Sequence, residues 1–181
     1  MHKLYMMCGI TVSGKTTLVK KMVEYTHSEL IDVDELFGEN GRKLHLTRDP
    51  EGHGRDIVRK IALEKLRSLL LNNSVVYDDM NQLYKHREQL RGIAKDCNAI
   101  PILIYVKTPL KVIQERRKEI AMTREGGDVP EPNFQYIVAH FEEPQKSEHP
   151  IIYIPNTKDD VFLKKLMNRK RQEQMAKPHK A

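Results

Sequence analysis

The first apolar run, Leu4-Tyr5-Met6-Met7-Cys8, has the length of a buried strand and leads at once into a glycine turn. Beyond it Leu18, Val19, Met22 and Val23 recur at helical spacing, which predicts a helix over residues 16–25. Leu30-Ile31-Asp32-Val33 reads as a second short strand, with Glu35-Leu36-Phe37 as a turn behind it. Residues 38–54 hold four glycines, a proline and six charged side chains, which predicts a long loop. The clearest amphipathic pattern follows: Ile57/Val58, Ile61/Ala62, Leu66 and Leu69/Leu70 predict a helix over 55–71. Val75-Val76-Tyr77 enters a third strand, 86–95 reads as a helix, and the β-branched run 99–106 is a fourth strand. Thr108-Pro109 offers an N-cap oxygen and a first-turn proline to a helix running through Arg116 and Arg117. A short helix over 133–141, a strand over 151–154 and a final helix over 160–167 complete the pattern.

Strands alternating with helices specify an α/β chain: a doubly wound, mostly parallel, five-stranded sheet with crossovers on both faces. We read one domain over 1–167 and a separate basic tail over 168–181. With 181 residues and 39% apolar content, such a domain buries a core without disulfides. Cys8 and Cys97 make no metal or redox spacing, and no apolar run approaches the roughly 18 residues of a membrane span. The short N-terminus reads as a strand and not as a signal peptide, so a cytoplasmic protein without membrane contact is expected.

Charge changes the picture only at the end of the chain. Seven Lys or Arg and one Glu lie within residues 164–181, so this last stretch carries the whole net charge of +6, four of it on the 168–181 tail. The rest is neutral and has no nucleic-acid signature of its own. The tail is either a solvated extension or a contact for RNA.

Gly9-Ile10-Thr11-Val12-Ser13-Gly14-Lys15-Thr16 fits G-x-x-x-x-G-K-[ST] between a strand and a helix. Glycines let the backbone wrap so that its N–H groups face phosphates, and the helix N-terminus adds a favourable dipole. The expected cradle is Gly9, Thr11, Val12, Ser13, Gly14, Lys15, Thr16 and Thr17, with Lys15 on the β- and γ-phosphates and the Thr16 hydroxyl on Mg²⁺. Asp78 ends an apolar strand in the manner of a Walker B acid and is the second expected metal ligand, unless it is a solvated turn acid. Asp79 then points to the other face, toward a substrate, unless it too is a solvated turn acid. Asp32 and Asp34, two apart at the end of the second strand, are either acceptors of a hydroxyl proton or caps of the following turn.

Together the P-loop, Asp34, Asp78-Asp79-Met80-Asn81 and Arg87 resemble the polynucleotide-kinase-like group of P-loop kinases, which includes zeta toxins and small-molecule phosphotransferases. Arg116-Arg117, Arg124, Val129-Pro130 and Phe141-Glu142-Glu143-Pro144 fit as well, so the resemblance covers most of the first 165 residues. It implies a P-loop NTPase fold with strand order 2-3-1-4-5, a lid over about 116–132, and ATP with Mg²⁺ as cofactors. It further implies Asp34 as general base, Arg116, Arg117 or Arg124 as lid cations, and Asp79 and Arg87 beside Asp34 at the substrate. The arginines otherwise read as a solvated helix face with weak ion pairs. One departure concerns the acceptor: polynucleotide kinases place a substrate-phosphate arginine shortly after the base, where this chain has Leu36, Phe37 and Gly38, and its first arginine is Arg42.

The acceptor hydroxyl therefore stays open between a small molecule and a nucleic-acid end. A nucleotide-gated, tRNA-associated regulatory ATPase is the reading from another class. Thr157-Lys158-Asp159-Asp160 also fits the [NT]-K-x-D pattern of guanine readers, though no switch threonine or D-x-x-G accompanies it. His45, His53, His86, His140 and His149 lack metal-ligand spacing and read as surface residues.

Overall fold

Five strands form one all-parallel sheet in the order β2-β3-β1-β4-β5, as expected. They are β1 (Lys3–Cys8), β2 (Glu29–Asp32), β3 (Val75–Asp78), β4 (Ile100–Val106) and β5 (Ile151–Tyr153). The computed structural model describes residues 1–46, 53–123, 129–155, 161–164 and 166, with the backbone alone at 41 and 42. Arg124, the 157–160 motif and the 168–181 tail thus lie outside the described residues.

β1 is buried along its whole length, which explains why its sequence is a continuous apolar run and not an alternation. On one face Leu4, Met6, Cys8 and Tyr77 pack against α3 (His53–Leu70) and α4 (Tyr84–Asp96). On the other face Tyr5, Met7 and Val76 pack against Leu18, Val19 and Met22 of α1 (Lys15–Thr26). Phe162, Leu163 and Leu166, from helical residues near the end of the described chain, close this second layer. Among the described residues no helix is long and apolar enough to cross a membrane.

Residues 38–43 of the expected loop belong to a helix, α2 (Val33–Lys43). Its N-terminus is fixed by Asp32, whose carboxylate accepts the N–H groups of Asp34 (2.8 Å) and Glu35 (3.0 Å). Val33, Leu36 and Phe37, at helical spacing, anchor it in the core. Cap and anchor outweigh the helix cost of Gly38, about 1 kcal/mol. Asp32 and Asp34 therefore do not share one side of a strand: Asp32 is a cap, and Asp34 sits in the first helical turn.

α3 departs from its expected face in a way that matters for the site. Ile57 is 43% exposed, and the buried stripe runs through Val58, Ala62, Leu63, Leu66 and Leu70. Arg55 and Arg59 continue that stripe over the first two turns. Two further helices, α5 (Leu110–Thr123) and α6 (Glu131–Ala139), complete the described chain. Arg117 joins them: it donates to Glu131 (2.6 Å) and to the Val129 carbonyl (2.9 Å), and its guanidinium lies 3.8 Å from the Phe134 ring centre.

Gly38 is exposed in α2, and a methyl group added there would meet nothing within 4 Å. Gly38→Ala should therefore stabilise the protein by about 0.5–1 kcal/mol, read as a higher urea midpoint at constant slope. A neutral or lower midpoint would mean that α2 is not helical there.

Candidate functional site

The loop between β1 and α1 folds back over the sheet through residues that need a left-handed backbone: Gly9 at φ 147°, Val12 at 59° and Gly14 at 100°. A Cβ at Gly9 would lie 2.9 Å from the Val106 carbonyl oxygen, so only glycine fits. No side chain caps the N-terminus of α1, whose first N–H groups are left for an anion. The Ser13 hydroxyl is buried and has no hydrogen-bond partner among the described residues. Half-buried Lys15 donates to the carbonyls of Gly9 (2.8 Å) and Ile10 (3.0 Å), and burial lowers its pKa against the pull of Asp78 and Asp79. An uncapped helix, an unpartnered hydroxyl and a desolvated lysine together suit a phosphate chain. Thr11 is half-buried, and Thr16 and Thr17 are exposed on the first turn of α1.

Asp78 reaches this loop because of how the chain is fastened beneath it. The Gly9 N–H donates to the Met80 carbonyl (3.2 Å), and the Asn81 amide donates to the Met7 carbonyl (2.7 Å). The Cys8 thiol, pushed up to about 12 by burial, points at the Asn81 carbonyl 3.6 Å away. The end of β3 is thereby held beside β1. Burial pushes the Asp78 carboxyl up to about 7, although Lys15 pulls it down. A carboxyl so destabilised as an anion fits a site completed by a divalent cation, with Thr16 and Asp78 as the residues that would hold Mg²⁺.

Asp79 has a different role from the one its position suggests. It does not face a substrate: its side chain is fully buried and gripped by two arginines of α3. Oδ1 accepts Arg55 Nε (3.2 Å), Arg55 Nη2 (2.6 Å) and the Met80 N–H (2.8 Å), while Oδ2 accepts Nε and Nη2 of Arg59. Burial opposes its ionisation, but the guanidiniums of Arg59 and Arg55 outweigh that and hold its carboxyl far below the usual range. Arg59 also reaches the His86 ring (2.7 Å), and burial together with that cation pushes His86 down to about 4. His86 is accordingly a neutral member of a network and not a surface residue.

The same network reaches Asp34, to whose Oδ1 Arg55 donates Nη1 at 2.9 Å. Arg55 and Arg59 were not candidates on sequence grounds. Their i, i+4 spacing on α3 was the available signal, masked by the apolar face assigned through Ile57 and Ile61.

The remaining arginines divide. Arg116 lies at the P-loop: its Nη1 donates to the carbonyls of Val12 and Ser13 (both 3.2 Å). Thr108, expected as a helix cap, instead donates to the Ser13 carbonyl (2.7 Å). Arg117 is a brace between α5 and α6. Arg87 is not at a substrate surface: it is 1% exposed, paired with Glu148 through Nε (2.7 Å) and Nη2 (2.9 Å), and donates Nη1 to the Asn81 carbonyl (2.9 Å).

Against known proteins, residues 3–181 match the family model described as chromatin associated protein KTI12. The chain belongs to the KTI12 family. Among solved structures it is similar to Chaetomium thermophilum Kti12 in complex with ADP-AlF3, at TM-score 0.72 and 17% identity over 91% of this chain and 97% of that one. A candidate kinase from Chloroflexus aurantiacus gives TM-score 0.74 at 13% identity, covering 92% and 97%. The Mycobacterium tuberculosis APS kinase CysC, with AMPPNP and APS, gives 0.63 at 18%, covering 92% and 96%. These likenesses establish the P-loop kinase-like fold, and the family model gives the chain's family within it as KTI12.

The Asp78 carboxyl carries a stability prediction for the ligand-free protein. Its folded pKa is raised, so its contribution is intact below the unfolded value near 3.8 and is lost as pH rises through about 7. Asp78→Asn should stabilise the protein at pH 8 by on the order of 2–4 kcal/mol, with most of that gain gone by pH 5. Denaturant titrations at the two pH values check it, and a pH-independent difference would refute it.

Proposed function

We propose that the chain binds Mg²⁺-ATP on the β1–α1 loop and transfers the γ-phosphoryl group to a hydroxyl set against Asp34. The observation that carries this is the convergence of Lys15, Thr16, Asp78 and Asp34 at the carboxyl ends of three adjacent parallel strands, where open α/β sheets bind their ligands. In the transfer the acceptor oxygen forms a bond to the γ-phosphorus. The bond from that phosphorus to the β–γ bridging oxygen breaks, ADP leaves with the electron pair, and the acceptor proton passes to the Asp34 carboxylate. Bound Mg²⁺ supplies charge neutralisation for the phosphate oxygens. Lys15 and the open N-terminus of α1 hold the β- and γ-phosphates, and Arg116 lies close enough to the loop to cover them. The adenine nucleotides carried by Chaetomium thermophilum Kti12 and by the APS kinase support ATP as the donor.

A second reading rests on one observation: Asp34 is tied to Arg55, as suits a carboxylate that orders water or responds to the γ-phosphate. In that reading the chain is a nucleotide-gated regulatory ATPase, which its KTI12 membership supports, and its basic tail over 168–181 contacts RNA. Following the γ-phosphoryl group of labelled ATP with and without a panel of nucleosides, sugars and RNA separates the two, since a kinase yields a phosphorylated acceptor and an ATPase yields inorganic phosphate. In either reading Lys15→Ala should abolish turnover and weaken ATP binding. Asp34→Asn should leave ATP affinity nearly intact and slow transfer by on the order of 10²–10⁴-fold. Unchanged turnover in Asp34→Asn would reduce that residue to an ion-pair partner of Arg55.

A further inference from the structure

We infer that Arg55 is a positioning residue for this transfer: it carries the fixed geometry of buried Asp79 to the Asp34 carboxylate. The inference rests on Asp34 as the proton acceptor. Burial does little to hold Asp34: its side chain is 62% exposed on the first turn of α2. Asp79 is the opposite case, fully buried, with Oδ2 gripped by Arg59 and Oδ1 also bound to the Met80 N–H. Arg55 spans the two. Nε and Nη2, one edge of its guanidinium, lie on Asp79 Oδ1, which sets the plane of the group. Nη1, on another edge of the same plane, then meets Asp34 Oδ1 at 2.9 Å.

The arrangement exceeds what holding β3 against α3 requires, because Arg59 already neutralises Asp79 from the same helix. Two guanidiniums on one buried carboxylate carry a desolvation cost that stability alone does not explain. What the second one adds is a rigid, planar link to Asp34, which a lysine ammonium cannot reproduce at both carboxylates. The link also survives the chemistry. When Asp34 takes up the proton and loses its charge, Arg55 keeps Asp79 as counter-ion and is not left as an unpaired cation.

The test uses single-turnover ADP formation from Mg²⁺-ATP with water as acceptor, alongside equilibrium ATP binding and melting temperature for each variant. Arg55→Gln should slow ADP formation by about 10–10²-fold while the ATP dissociation constant moves less than about threefold. In an Asp34→Asn background the same substitution should cost no more than about twofold, because the residue through which Arg55 acts is gone. Arg55→Lys keeps a cation at Asp79 and protects the fold if Arg55→Gln does not, and it should still show the slow rate. Equal losses from Arg55→Gln in both backgrounds, or an unchanged rate, overturn the inference while leaving the proposed function standing. An Asp34→Asn protein with full turnover overturns the proposed function and this inference with it, as does a parent protein that binds ATP and forms no ADP either with water or with any nucleoside, sugar or RNA of the panel.

Discussion

The ion pair between buried Asp79 and two arginines of α3 is the constraint on which the acceptor side of the molecule depends. Its carboxylate ties the end of β3 to the first turns of α3, and through Arg55 to the start of α2. One residue later, Met80 and Asn81 fasten the same segment under the phosphate loop. The phosphate side and the acceptor side are therefore two arms of a single rigid joint. Buried ion pairs are weak sources of net stability, because desolvation consumes much of what the charges return. The network is better understood as orientation: it fixes three helices and a strand end relative to one another at the edge where the ligands converge.

Neighbouring aspartates illustrate how environment, and not residue type, assigns the role. Asp78 and Asp79 are consecutive, and strand alternation sends them to opposite sides. Asp78 meets burial with a single nearby lysine and is pushed up to about 7, whereas Asp79 meets burial with two guanidiniums and stays ionised far below the usual range. The first is a carboxylate waiting for a cation, and it weakens the ligand-free fold above neutral pH. The second is already satisfied by the protein. That difference separates a poorly neutralised carboxylate from a fully paired one within two residues of sequence.

Much of this was legible in the sequence, and the boundary of legibility is physical. The strands and the phosphate loop follow from local signals, buried apolar runs, helical spacing and a glycine pattern whose chemistry admits few alternatives, while the strand order came from the family resemblance. α2 was hidden because the glycine content of 38–54 argues for a loop, while the decisive terms are the Asp32 cap and the anchor through Val33, Leu36 and Phe37. Arg55 and Arg59 were hidden by a modest rotation of α3, which moves Ile57 to the surface and brings the arginines into the buried stripe. Arg87 looked like a substrate arm because nothing local reveals Glu148, its partner 61 residues away. Periodicity reports which face is buried; it does not report which charges meet there.

The kinase and ATPase readings ask the same chemistry of the same groups, and they differ only in which oxygen approaches Asp34. Backbone carbonyls hold Lys15, the first turn of α1 carries Thr16, and Asp78 is buried, so the donor side is built before any ligand arrives. Asp34 stands apart from that floor: its side chain is largely in solvent, and its order comes from a neighbour and not from burial. Under the proposed function an acceptor enters from solvent across the N-terminal turn of α2, past Arg55, and meets a carboxylate already engaged by a guanidinium. Water meets that requirement with little binding energy of its own. A hydroxyl substrate has to supply contacts that the described residues around Asp34 do not enclose, so the identity of the acceptor is decided at the open rim of the site and not in its phosphate-binding floor.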